Sequence, residues 1–398
     1  MRSLNYDLRV VYAITTVMFI ASYWIHLPAP FGSIDFYSDI THLYNLIFQG
    51  RGWFKAVSVY GLPYVDYFLE YPVIIGLCFA LSSLPRIVVK EPLGELIFYH
   101  IMTLILYVAT IFTVRELYKI LSALNISSTR ILLYLSTTVS FLLYVVYNWD
   151  IIASAFTVLS LRLFIEKRYN VSSVCLGLAV STKIIPGALI VPILIQLRKV
   201  KLMVKYVLIT MLTYLTLHAP IMIANFNSWL MFWNYHLSWF IEDSWLQLIF
   251  DIYDPRVKYA SIVIYLLLAV PTIMLVTKYK HKDDTLNLIE NSFVFLAITL
   301  FSSYVFTPQM SLLLYPLITL LPITSIALFY TYDILNAAIM IYWGTVNEWL
   351  KTMLGYEIPL LARESPISII SSIRCFILLA LTLMILRSRL KTKRNTVS

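Results

Sequence analysis

The chain has 398 residues, of which 60% are hydrophobic and only 13% charged, and its mean hydropathy is +0.81. An average soluble domain carries roughly 25% charge, so a soluble globular protein is excluded. The net charge of +9 sits in short loops and in a tail with Arg387, Arg389, Lys391, Lys393 and Arg394, which marks membrane orientation and excludes a nucleic-acid groove.

Repeated apolar runs near ~20 residues, without the alternation of a barrel, predict an all-α polytopic membrane protein. Cys78, Cys175 and Cys375 lie in apolar runs and imply neither a disulfide framework nor a metal site. The first run, Val10 to Leu27, follows Arg2 and Arg9 and lacks a small-residue cleavage site. It is read as a retained anchor with a cytoplasmic N-terminus.

A polar, aromatic and acidic stretch, Gly32 to Tyr71, follows, and it holds Asp35, Asp39, Asp66 and Glu70. Ser38 is placed to cap a short helix. Ile40, Leu43, Tyr44 and Ile47 make its apolar stripe, and Asp39, His42, Asn45 and Gln49 the opposite face. That pattern predicts an interfacial helix lying flat, with its apolar side in the headgroups. Residues 73–84 are too short to span and read as re-entrant.

Spans are then predicted at about Leu96–Val114, Ile131–Tyr147 and onward from Asp150 to Ile165. Two short segments follow, Val171–Thr182 and Ile184–Leu197, and then a span to about Ala224. An aromatic loop covers Asn225–Lys258, and Lys278, Lys280 and Lys282 end the next span. Later spans are about Leu288–Phe306, Leu312–Phe329, Ile334–Trp349 and one ending in the basic tail. About twelve spans result, with both termini cytoplasmic and the loop 29–94 outside. Of 30 Lys and Arg, 19 fall inside on this reading. The chain reads as one membrane domain, a module over 1–224 followed by variable helices over 225–398.

Lys183 stands in an apolar Ser-Thr-Lys-Ile-Ile-Pro context. Such a cation costs ~2.5 kcal/mol or more at bilayer depth unless it meets a cavity or a partner. It either snorkels to the interface or contacts an anionic lipid phosphate. Asp150, in Asn148-Trp149-Asp150, either caps a helix or faces the same pocket. Gln309 beside Pro308 either bonds a ligand or satisfies freed backbone. The aromatic loop with His236 is either an interfacial belt or a sugar platform.

Four features together resemble the GT-C class of polyprenyl-phosphate-sugar-dependent glycosyltransferases, most closely glycosyltransferase family 87. They are Ser38-Asp39-Ile40 with Tyr44, then Leu62-Pro63-Tyr64-Val65-Asp66-Tyr67 with Glu70-Tyr71-Pro72. Next come Gly177-Leu178-Ala179 with Thr182-Lys183 and Pro186, and finally Thr307-Pro308-Gln309. The resemblance covers roughly residues 1–320. Val73 stands where the family usually has a second proline.

The resemblance implies an inverting hexosyltransferase that moves mannose or glucose from a polyprenyl or dolichyl phosphate. The acceptor is a hydroxyl of a glycolipid or surface glycan, at the outer face of the plasma membrane. It makes Asp39 the base that takes the acceptor proton, with Asp35 as its competitor, and Lys183 the partner of the leaving phosphate. Asp66 and Glu70 either orient sugar hydroxyls or brace the loop. Asp35, His42, Tyr44, Asp66, Glu70, Tyr71, Asp150, Lys183, His236 and Gln309 form the expected substrate set. No cofactor is expected. Some relatives in the wider class use a divalent metal with paired acidic residues, which would sit near Asp35 and Asp39, but nothing in the sequence supports one here. The reading from a different class is a multi-pass transporter or flippase of lipid-linked sugars, and a non-catalytic assembly subunit is the third.

Overall fold

The computed structural model describes residues 6–394 apart from 33, 35, 51–60, 281–282, 323–324, 356–361 and 364. These residues are almost wholly helical, with no strand among them. The helices are α1 (Leu8–Ile25), α2 (Asp39–Phe48), α3 (Val73–Ser83), α4 (Leu93–Ala123), α5 (Thr129–Ile131), α6 (Val139–Tyr144) and α7 (Asp150–Ile165). There follow α8 (Tyr169–Thr182), α9 (Ile190–Gln196), α10 (Val200–Ala224), α11 (Phe226–Ser238) and α12 (Arg256–Lys278). The last are α13 (Asp284–Ser302), α14 (Ser311–Leu320), α15 (Ile326–Ile341), α16 (Asn347–Leu354) and α17 (Pro366–Arg394).

Among the described residues six helices are long and apolar enough to cross a bilayer: α1, α4, α10, α12, α13 and α17. The other apolar helices are shorter. α13 is the central post, buried along most of its length, whereas α10 and α12 are mostly exposed. Their exposed positions include Leu208, Met211, Leu212, Ile262, Val263 and Leu266. An apolar surface of that kind is solvated by lipid rather than water.

Three predicted spans are redrawn. The run Ile131–Tyr147 is a π turn over Leu132–Ser136, a break at Thr137 and Thr138, and the short α6. The expected boundary at Tyr330–Asp333 lies inside α15. The true break follows Leu320, where Pro322 forces the preceding residue to be extended, and Ser325 caps α15 by accepting from Leu328 N.

Asp333 links the two irregularities. It is fully buried and accepts from Val139 N at 2.9 Å, Ser140 N at 3.1 Å and the Tyr315 hydroxyl at 2.7 Å. The broken helix leaves those N–H groups without carbonyl partners, and the carboxylate replaces them. Asp333→Ala should therefore cost about 3 kcal/mol or more by orphaning buried donors. Thermal unfolding of the detergent-solubilised protein, read against wild type, checks this.

α8 and α10 pack tightly because Gly177 has no side chain. A Cβ there would lie 2.6 Å from Thr213 Cβ and 2.8 Å from Thr210 O. Small residues of this kind let membrane helices approach closely. The start of α2, the turn between α6 and α7, the end of α8, α11 and the 303–310 turn all gather at one end of the bundle.

Candidate active site

The site is built around the first turn of α2. Ser38 Oγ accepts from Ile40 N at 3.2 Å and donates to Tyr147 O at 3.0 Å, and Asp39 N donates to Tyr147 O at 3.1 Å. The cap thus docks the helix onto the α6–α7 turn. The stripe Ile40, Leu43, Tyr44 and Ile47 is buried in protein, with Tyr44 against Phe98 at 4.8 Å and Phe48 against Phe79 at 5.9 Å. The headgroup placement expected for this stripe is corrected: α3 and α4 cover it.

Asp39 is partly exposed yet densely surrounded, in a recess bounded by Tyr37, Tyr71, Tyr147 and Asn148. Its Oδ2 accepts from the Tyr71 hydroxyl at 2.8 Å and from Asn148 Nδ2 at 3.2 Å. Burial raises its pKa above the usual carboxylate range, opposed by the hydrogen bonds from Tyr71, Asn148 and Tyr147 and by His42. Desolvation therefore outweighs the helix end and the donors together. The result is a stronger base than a surface aspartate.

Tyr71 is fixed by its surroundings. Its ring meets Trp149 at 4.6 Å, and its carbonyl accepts the Tyr64 hydroxyl at 2.5 Å. Tyr64 has a positive φ of 65°, a rare conformation for a bulky residue. A Cβ on Gly76 would collide with its ring at 2.4 Å. Asp66, largely exposed, accepts from Leu62 N at 2.7 Å within the same loop. The Leu62–Tyr67 motif is thus the brace that presents Tyr71.

Asn148-Trp149-Asp150 couples two polar groups. Asn148 holds Asp39, and its Oδ1 also accepts from Asp150 N at 3.0 Å. Asp150 pairs with Lys183 at 2.5 Å, both largely buried. Lys183 also acts on His236 of α11, whose Nδ1 donates to Phe232 O at 2.9 Å. Gln309 is buried in the turn Pro308–Met310. That turn precedes α14, which packs on α7 through Ser154 Oγ donating to Leu312 O at 2.8 Å.

The expected set divides. Asp39, His42, Glu70, Tyr71, Asp150, Lys183 and His236 line or adjoin the recess. The exposed His42 faces Tyr37, with ring centroids 5.2 Å apart. Tyr44 does not join them: its hydroxyl donates to the exposed Glu91 at 2.5 Å. Asp35 lies outside the described residues.

Glu242 was not expected. Its field reaches Asp39, Glu70, Tyr37, Tyr147 and Tyr235, groups from four different segments. Trp239 Nε1 donates to its Oε2 at 2.8 Å. Burial pushes its carboxyl up to about 8, aided by the charges of Asp243, Asp39 and Glu70. Glu70, which accepts the Tyr235 hydroxyl, is pushed up to about 7 by burial and then by Asp39. The recess therefore holds fewer negative charges at neutral pH than its three acids suggest. The only signal in the sequence was an adjacent acidic pair, Glu242-Asp243, inside an aromatic stretch.

Cys78, Cys175 and Cys375 are free thiols. Among the described residues no group of three His, Cys, Asp or Glu side chains is arranged to hold a metal ion. Comparison of the chain with protein-family models and with curated proteins gave no match.

Proposed function

We propose that the protein is an inverting membrane glycosyltransferase that takes a hexose from a polyprenyl phosphate and places it on a hydroxyl of a glycolipid or glycan. The observation that carries this reading is the Asp39 carboxylate, held by Tyr71 and Asn148 in an aromatic recess, with Lys183 tied to the same Asn-Trp-Asp turn. The acceptor hydroxyl attacks the anomeric carbon and gives its proton to Asp39 Oδ1 or Oδ2. The sugar–phosphate bond breaks, and the electron pair leaves with the lipid phosphate. Lys183 supplies positive charge where that phosphate gains negative charge.

The GT-C resemblance of four motifs supports the same assignment. So do the basic residues Arg115 and Lys119 near the end of α4, and Arg168 and Arg198 in the turns before α8 and α10. We accordingly place the recess at the outer face of the cell membrane, with both termini cytoplasmic and about twelve passes. In this proposal the donor arrives sideways through the bilayer, past the exposed apolar helices α10 and α12.

Donor affinity should depend on pH with a definite sign. As pH rises through about 7 and about 8, Glu70 and Glu242 lose their protons. The added negative charge repels an anionic donor, so the KM for donor should rise several-fold between roughly pH 6.5 and 8.5. Glu242→Gln keeps the neutral shape and should flatten that rise. An unchanged pH dependence in both Glu70→Gln and Glu242→Gln would separate these acids from the donor.

The experiment that tests the function is profiling of lipid-linked and surface glycans in a deletion strain. A glycan lacking one hexose, restored by wild type and not by Asp39→Asn, is expected. An unaltered glycan profile would remove the reading.

A further inference from the structure

We propose that Glu242 contacts the sugar in the recess and that Arg374, on the last helix, is its positioning residue. The inference rests on the glycosyltransferase reading and extends the site into residues 225–398, which the sequence treats as variable helices.

Arg374 is fully buried within α17. Its Nη2 donates to Asp243 O at 2.7 Å and to Phe306 O at 2.5 Å, and its Nη1 donates to Asn336 Oδ1 at 2.7 Å. The guanidinium lies 4.0 Å from the centre of the Phe306 ring. The two carbonyls belong to the two backbone segments that present Glu242. Glu242 N donates to Tyr304 O at 3.0 Å, and Phe306 N donates to Glu242 O at 2.9 Å. One fork therefore clasps both sides of this short pairing.

The clasp holds a backbone that needs holding. Asp243 has a positive φ of 51°, a conformation that few side-chain-bearing residues adopt unless their surroundings fix it. A buried cation is expensive, and only a planar fork can serve three acceptors and an aromatic face at once. What the arrangement gains is a fixed direction for Glu242. That carboxyl is partly exposed in the recess, beside the Trp239 indole and close to Asp39. A carboxyl flanked by aromatic rings suits a sugar, whose hydroxyls it can bond while its C–H face lies on a ring.

The test uses the full-length purified protein in lipid nanodiscs. Binding of decaprenyl phosphate carrying mannose or glucose is compared with bare decaprenyl phosphate, by tryptophan fluorescence. Wild type should hold one of the sugar-bearing lipids about tenfold more tightly than the bare one. Glu242→Leu and Arg374→Lys should each erase that difference, whereas Glu242→Gln should keep most of it. Combining Arg374→Lys with Glu242→Leu should cost nothing beyond Glu242→Leu alone, because one acts through the other.

Equal preference for the sugar in Arg374→Lys and wild type would overturn the proposal, as would additive losses in the double variant. No sugar preference in wild type would overturn it too. Where Arg374→Lys fails to elute as a folded protein, Phe306→Leu loosens the same clasp and carries the same expectations. A sugar preference that depends on Glu242, without any transfer, would uphold this contact while the transferase reading fell.

Discussion

Asp39→Asn should lower sugar transfer by about 100- to 10,000-fold, the usual contribution of a general base, while the protein still folds and inserts. The geometry makes this a clean substitution. Both donors converge on one oxygen, Oδ2, from Tyr71 and Asn148. The replacement amide can place its oxygen there and keep both bonds, so what is lost is the proton acceptor. Tyr71→Phe provides the graded comparison. It removes one donor without removing the carboxylate, and should cost about tenfold. Initial rates with purified variants of matched thermal stability check both. Near-normal turnover in Asp39→Asn would take the residue out of the chemistry.

Lys183→Ala should damage stability and donor use together. Asp150 is 3% exposed, its Oδ1 is paired to Lys183 at 2.5 Å, and its Oδ2 has no hydrogen-bond partner among the described residues. Removing the lysine strands a buried charge, which costs about 3–5 kcal/mol. The neutral pair Lys183→Met with Asp150→Asn should recover most of that stability, because no charge is left unmatched. The same double variant separates structure from function. Lys183 has three N–H donors, enough to keep Asp150 and still meet a phosphate. If it meets the donor, the stabilised double variant should show a KM for donor raised about tenfold or more. A double variant with wild-type stability and wild-type KM would make the lysine purely structural.

Local signals in the sequence carried far, and long-range ones did not. Ser38 as a cap, the four-residue apolar stripe of α2 and the short α3 follow from periodicity and capping chemistry, which act over a turn or two. What covers that stripe did not follow, because lipid and the faces of α3 and α4 are equally apolar. The break before α15 was misplaced for a related reason. Tyr330-Thr331-Tyr332-Asp333 is polar enough to look like a loop, yet Asp333 turns inward to serve α6, almost two hundred residues earlier in the chain.

The site shows the same division. Asp39, Tyr71 and Lys183 were legible as unusual residues in their settings, and Asn148-Trp149-Asp150 as a polar turn. That one turn serves both Asp39 and Lys183 is a property of the fold. Glu242 and Arg374 were missed as partners because nothing local links 242 with 306 or 374. A lone arginine in a spanning helix was the visible anomaly, and its three acceptors supply the explanation.

The most direct measurement is bond formation by the purified protein. Reconstituted wild type receives polyprenyl phosphate bearing radiolabelled mannose or glucose, together with a mixture of glycolipid acceptors. Label should pass covalently to an acceptor with inverted anomeric configuration, and Asp39→Asn should leave it on the lipid. Labelled lipid that crosses the vesicle membrane without forming a new glycosidic bond would contradict the account and make the protein a carrier.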